Sequence, residues 1–146
     1  MQGAWDWALH ALAHLKELLE LSTKYAKERK QFDVTISQFE AIQFMLAEMC
    51  ELIYGMESMI YRTAAAYDAG KPVSRQSATV KLFASESLCK IADKAVQIHG
   101  GMGYSRELPI ERFYRDARIN PIFEGTNEIQ KIVIARDILK RNGVWS

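Results

Sequence analysis

Apolar residues return at three- and four-residue steps along most of this chain. Ala8, Leu12, Leu15, Leu19 and Ser22 make one stripe and predict a helix from about Trp5 to about Lys30. Phe32-Asp33-Val34-Thr35-Ile36 breaks the pattern, and Ser37-Gln38-Phe39-Glu40 then reads as a capping box that starts a second helix. Ile42, Met45, Met49, Leu52, Met56, Met59 and Ile60 would line its inner face, with Gly70 and Pro72 as stop signals. A third helix, capped by Ser74, would bury Ala78, Leu82, Ser85, Leu88, Cys89, Ala92 and Val96. It is expected to end at Gly100-Gly101 and to pack antiparallel to the second. Pro109 fits the first turn of a short helix through Phe113 and Ala117, closed by Asn120-Pro121. A final helix would use Ile129, Ile132, Val133 and Leu139 and stop near Asn142-Gly143. No segment alternates as a strand does, and there is no internal repeat. The expectation is an all-α single domain, an antiparallel bundle of long helices of the four-helix-bundle type with a short additional helix.

Composition narrows the function classes. With 146 residues, 49% hydrophobic and 25% charged, the chain can bury one core. A formal net charge of +1 offers no field to nucleic acid or to an anionic membrane, so neither partner is expected. The amino terminus carries Asp6, His10 and His14 among its apolar residues, unlike a signal peptide, and a cytoplasmic location is the expectation. Cys50 and Cys89 lie far apart within helical patterns and read as buried free thiols. Bundles often hold metal, but no Glu is followed three residues later by His, and His10 and His14 lack a third ligand; no metal is expected. The methionine stripe is core filler rather than a binding groove.

Asn120-Pro121-Ile122-Phe123-Glu124-Gly125-Thr126-Asn127-Glu128 is the segment most suggestive of chemistry. It sets a carboxylate between an aromatic residue and a glycine, in the turn that launches the last helix. Phe123 can lower the local dielectric, Gly125 lets backbone pass close to a ligand, and Thr126 can cap the helix. Two other segments stand out. Gln97-Ile98-His99-Gly100-Gly101-Met102-Gly103 has the glycine density of a phosphate cradle but follows a helix rather than a strand, so the dinucleotide fingerprint does not apply. Arg29-Lys30-Gln31-Phe32 pairs a guanidinium suited to phosphate with an aromatic suited to a flat ring. Taken singly, these are a loop carboxylate, a helix stop and a solvated helix end.

In this order they resemble the carboxy-terminal helical domain of the acyl-CoA dehydrogenase family. The resemblance runs from about Leu18 to Gly143 and rests on Tyr25-Ala26-Lys27-Glu28-Arg29-Lys30-Gln31-Phe32, Gln97 through Tyr104, Arg115-Asp116-Ala117-Arg118-Ile119, and Phe123 through Gln130. It implies a homo-oligomeric (dimeric or tetrameric) FAD enzyme that removes two hydrogens from the α and β carbons of an acyl-CoA. Glu124 matches the catalytic base that takes the α proton, and its backbone amide matches a donor to the thioester carbonyl. The hydride goes to the flavin, and an electron-transfer flavoprotein reoxidises it. Phe123 and Gly125 match the substrate-binding wall beside the base, where loss of water strengthens the carboxylate as a base. Arg29 and Phe32 match contacts to the flavin dinucleotide of a neighbouring subunit. Gln97, Gly100 and Gly101 match a second cofactor segment, and Thr126 and Glu128 a third.

The pattern departs from the family in places. Asp33 stands where the family most often has glycine, and Phe39-Glu40 where it often has Phe-Gln. Nothing corresponds to the amino-terminal helical and middle β domains of family chains, and the segment before Leu18 matches the first helix poorly. A truncated or internally deleted chain is therefore expected, without turnover of its own. Two alternatives share these residues: a stand-alone, non-catalytic oligomerisation module, and an acyl-CoA oxidase relative that also needs Glu124.

Overall fold

The computed structural model describes residues 2–140, and side chains from Trp7 to Lys140. It is all-α apart from one minute hairpin. Helix α1 spans Gln2–Glu28, α2 Glu40–Asp68, α3 Ser74–His99 and α6 Asn127–Lys140, with two short helices, α4 (Gly101–Tyr104) and α5 (Ile110–Ala117), between α3 and α6. The predicted end of the last helix near Asn142-Gly143 lies outside the described residues.

Helix α3 is the hub. Val80, Ala84, Leu88, Ile91, Ala92, Ala95 and Ile98 are buried, and α1, α2, α4, α5 and α6 all pack against it. Leu15 and Leu18 of α1 and Met49 and Met56 of α2 close the same core, each fully excluded from solvent. Burying a side chain of this size contributes roughly 1.5–3 kcal/mol, so these contacts, not surface charges, hold the bundle. Two ion pairs record the directions of packing. Lys94 near the end of α3 meets Glu48 near the start of α2. Ile36 N–H bonds Arg29 O at 2.8 Å, so that α2 starts beside the end of α1 and meets it again through Lys16 and Glu57 at 2.6 Å; α2 thus runs antiparallel to both neighbours. Among the described residues no helix is long and apolar enough to cross a membrane.

The loop between α1 and α2 differs from expectation. Lys30–Gln31 (β1) pairs antiparallel with Val34–Thr35 (β2), and the turn between them puts Phe32 at φ 53° and Asp33 at φ 66°. Both central residues are left-handed, as a two-residue hairpin of this hand requires. Aspartate tolerates that region better than most residues, which accounts for Asp33 in a position that suits glycine. The capping box does not form. Ile36–Gln38 is a single 3-10 turn, Phe39 occupies the cap position of α2, and Ser37 Oγ instead lies 2.9 Å from Thr35 Oγ1. Ser74 likewise is the first helical residue of α3 rather than its cap, which is Val73.

Two expectations about burial fail. Cys50 is exposed, because Met49 and Ile53 take the inner face of that turn of α2; Cys89 is half-buried, and both thiols are free. On α6, Ile129, Ile132 and Leu139 face outward. That helix is apolar on two sides and packs chiefly on α3 at one edge of the bundle, so spacing alone could not choose its inner face.

Candidate functional site

The carboxylate of Glu124 is presented by a short loop that is anchored at both ends. At the entrance, Asn120 is buried, with its amide nitrogen donating to the carbonyls of Asp116 (2.9 Å) and Ala117 (3.0 Å) at the end of α5. Its side-chain oxygen accepts from Trp7 Nε1 of α1 at 2.7 Å. The Trp7 ring then meets Phe123 edge-on, centroids 6.1 Å apart, so the aromatic next to the base is fixed from α1. At the exit, Asn127 donates its backbone N–H to Pro121 O at 2.9 Å and closes the loop on itself. Thr126 caps α6 as expected, its hydroxyl accepting from Ile129 N at 3.3 Å. Gln130 reaches back to donate to the carbonyls of Glu124 (3.3 Å) and Gly125 (3.2 Å).

Within this frame Glu124 has φ 54° and Gly125 φ 86°. A left-handed glutamate is uncommon and is maintained here by its surroundings. Gly125 is favoured by its φ, whereas a Cβ there would meet only the movable tip of Gln130, 2.8 Å from its Nε2. Glu124 and Glu128 are exposed and Phe123 is barely so, so the solvent-excluding wall expected around the base is not supplied by this chain alone. The Glu128 carboxyl is held below its ordinary range, chiefly by a bond from its own backbone amide and then by the Thr126 hydroxyl.

Residues missed in the sequence lie underneath. Lys81 and Ser85, both buried on α3, donate to Asn127 Oδ1 at 3.0 and 2.8 Å. The available signal was a lysine three residues after Ala78 and four before Ser85, on the apolar stripe of the third helix.

The other predicted residues gather at the opposite end of the bundle. Tyr25 of α1 lies against His99 of α3, ring centroids 4.4 Å apart, which brings the Arg29 segment beside the Gln97 segment. Arg29, Gln97, Gly100 and Gly101 are all exposed there, and Phe32 is 88% exposed at the hairpin tip. Gly100, at φ 58°, ends α3, and a Cβ on it or on Gly101 would meet nothing within 4 Å, so the backbone is open to an approaching group. The two ends are far apart. Trp7 marks one and Tyr25 the other along α1, about 27 Å at a rise of about 1.5 Å per residue. A single chain therefore does not bring Glu124, Thr126 and Glu128 to the Arg29–Gln97 cluster.

His99 makes the second cluster sensitive to acid. Burial pushes its imidazole below the ordinary value, opposed by its bond to Ala95 O at 2.7 Å, so the folded chain holds it neutral more firmly than the unfolded chain does. Its contribution is complete above the unfolded value of about pH 6.5 and is lost as pH falls from there. The melting temperature is expected to decline below that pH. Thermal melts across the range should show the decline reduced in His99→Phe.

A family model for "Acyl-CoA dehydrogenase, C-terminal domain" matches residues 1–139, and so extends upstream of the Leu18 limit drawn from motifs. The 3-(aryl)acrylate reductase of Clostridium sporogenes is 42% identical over 91% of this chain and 35% of its own length. The mitochondrial short-chain specific acyl-CoA dehydrogenase of Mus musculus is 43% identical over 91% of this chain and 32% of its own. The butyryl-CoA dehydrogenase structure from Megasphaera elsdenii superposes with a TM-score of 0.91 at 37% identity, covering 94% of this chain and 36% of that one. The chain spans about a third of the length of the curated relatives it matches.

Proposed function

Because the chain belongs to the acyl-CoA dehydrogenase family, matching its carboxy-terminal domain, we propose that it is the base-bearing and oligomer-forming part of an FAD-dependent oxidoreductase. The substrates are acyl-CoA thioesters, acted on at their α and β carbons. The observation that carries this reading is the presentation of Glu124: an exposed carboxylate, in a left-handed conformation, on a loop pinned at Asn120 and at Asn127. Rigid placement of a proton acceptor is what proton abstraction from a weak carbon acid needs.

The donor set at the far end fits a flavin dinucleotide. Arg29 suits a pyrophosphate, Phe32 a flat ring, and Gly100-Gly101 a backbone approach with no side chain in the way. FAD, when bound, supplies a hydride acceptor for the β carbon. Glu124 takes the α proton, and in the reverse direction its carboxyl returns it, which accommodates relatives named as reductases as well as those named as dehydrogenases. Phe123 and Gly125 border the reacting carbons. Thr126 keeps the helix start behind the base in place, and with Glu128 it would supply contacts to the cofactor serving that base.

Since one chain separates its base from its Arg29–Gln97 cluster, the two ends serve different sites, the second belonging to a neighbouring copy. A homo-oligomer follows from this reading. Phe44, Tyr54 and Tyr61 expose large apolar surface on α2, as such an assembly would use. An electron-transfer flavoprotein is the proposed redox partner, and the cytoplasm the proposed location.

The test joins the amino-terminal helical and middle β domains of a family member to this chain and adds FAD. A flavin band that bleaches on addition of a short acyl-CoA is expected. A stable, correctly assembled flavoprotein that no acyl-CoA bleaches would refute the reading, and an assembly that never retains flavin would favour a non-catalytic module.

A further inference from the structure

The mechanism above leaves one buried charge unused. Lys81 is 3% exposed, in the amino-terminal third of the hub helix α3, and it lies beneath the loop that carries Glu124. Its ammonium donates to Asn127 Oδ1 at 3.0 Å, and the same oxygen accepts from Ser85 Oγ at 2.8 Å. Asn127 is itself buried, is the first residue of α6, and holds Pro121 O through its backbone N–H. These bonds run in series from α3 through Asn127 to the far side of the loop, with Glu124 and Gly125 between the two fixed points.

We propose that Lys81 is a positioning residue for Glu124: its buried ammonium clamps Asn127 to α3 and thereby holds the left-handed Glu124-Gly125 backbone in place. The catalytic consequence rests on the reading of Glu124 as the base, whereas the clamp itself does not.

Packing alone gives no reason for a cation here. A methionine fills similar space without having to be desolvated. The environment records the conflict: burial pushes the lysine below its ordinary proton affinity, while the carboxylates of Glu128 and Glu124 pull it back up. Those two are the charged groups facing it, one from α6 and one from the loop. Two more pairs join α3 to α6 without touching the loop, Arg75 to Asp137 at 3.4 Å and Glu86 to Lys131 at 3.9 Å. Since α6 also packs extensively on α3, its docking survives loss of Lys81, and the effect of that loss falls on the loop. Ser85 keeps one of the two bonds that tie Asn127 to α3, so the clamp is weakened while no buried polar atom is stranded.

The experiment uses the 146-residue chain without flavin or thioester, so its failure and that of the proposed activity are separable. In Lys81→Met, amide hydrogen exchange is expected to quicken about tenfold at residues 122–127, with α1 and α3 core amides and the melting temperature not lowered. Unchanged exchange in the loop overturns the proposal, as does uniform loss of protection with a lowered melting temperature, which is the signature of a merely structural lysine. A second measurement does not depend on that variant folding. The Lys81 ammonium is titrated by nitrogen-detected magnetic resonance in the unmodified chain and in Glu124→Gln and Glu128→Gln, both at exposed positions. Both variants are expected to shift the lysine further downward, Glu128→Gln more. A Lys81 titration that ignores Glu124→Gln overturns the proposal.

Discussion

Glu124→Gln, introduced into the assembly with the two other domains and FAD, is expected to reduce flavin with an acyl-CoA about 10²–10⁴ times more slowly, the usual range for a general base. Glutamine keeps the length and shape of the side chain and loses its capacity to accept a proton. The loop should not move. Gln130 bonds the backbone carbonyls of residues 124 and 125, Thr126 bonds a backbone amide, and the anchors at Asn120 and Asn127 lie outside the substituted residue. Glutamine also meets the same left-handed φ that glutamate already occupies. The loss should therefore appear in the rate of flavin reduction in single-turnover experiments, with thioester binding nearly unchanged. Full-rate reduction by the variant would remove Glu124 from the mechanism.

The largest stability effect is expected at the junction of α1 with α3. Leu15 is fully buried there with Leu18, and α1 packs on α3 more extensively than any other pair of elements. Leu15→Ala removes the transfer energy of the deleted carbons and leaves a cavity between helices that can collapse only in part, at a cost of about 2–5 kcal/mol. A small domain has only about 5–15 kcal/mol in total, so the variant should approach the threshold of folding. Urea denaturation followed by circular dichroism measures this as a lowered midpoint with an unchanged slope. Leu139→Ala is the contrast, since that side chain stands in solvent on α6 and should change stability by no more than about 0.5 kcal/mol. Equal effects at the two positions would contradict the core described here.

The long helices were legible because each has one buried face over several turns. Met49, Met56 and Ile60 are buried where the stripe on α2 places them, and Ala8, Leu12, Leu15 and Ser22 where the stripe on α1 does. The loop chemistry at Glu124-Gly125-Thr126 was legible for a related reason, since glycine and a hydroxyl before a helix are local signals. What escaped detection depends on distant partners. Ser37 and Ser74 look like caps, but neither side chain caps its helix, and Phe39 and Val73 take the cap positions. The hairpin at Lys30–Thr35 is too short to show alternation and announces itself only through two left-handed residues. Lys81 and Asn127 lie 46 positions apart, and no spacing rule joins a lysine in an apolar stripe to an asparagine after a helix cap. The outward apolar face of α6 could not be told from its inward face, because nothing local records that this helix is packed chiefly on one side.

The span between the Trp7 and Tyr25 ends of α1 bears on heredity as well as on chemistry. If, as proposed, the halves of a working centre are carried by different copies, damage at opposite ends complements rather than adds. On the proposed arrangement, a subunit that has lost its proton acceptor would still lend its guanidinium to a neighbour, and a subunit without that guanidinium would still lend its carboxylate. Two individually dead alleles can thus restore function to each other inside a mixed particle.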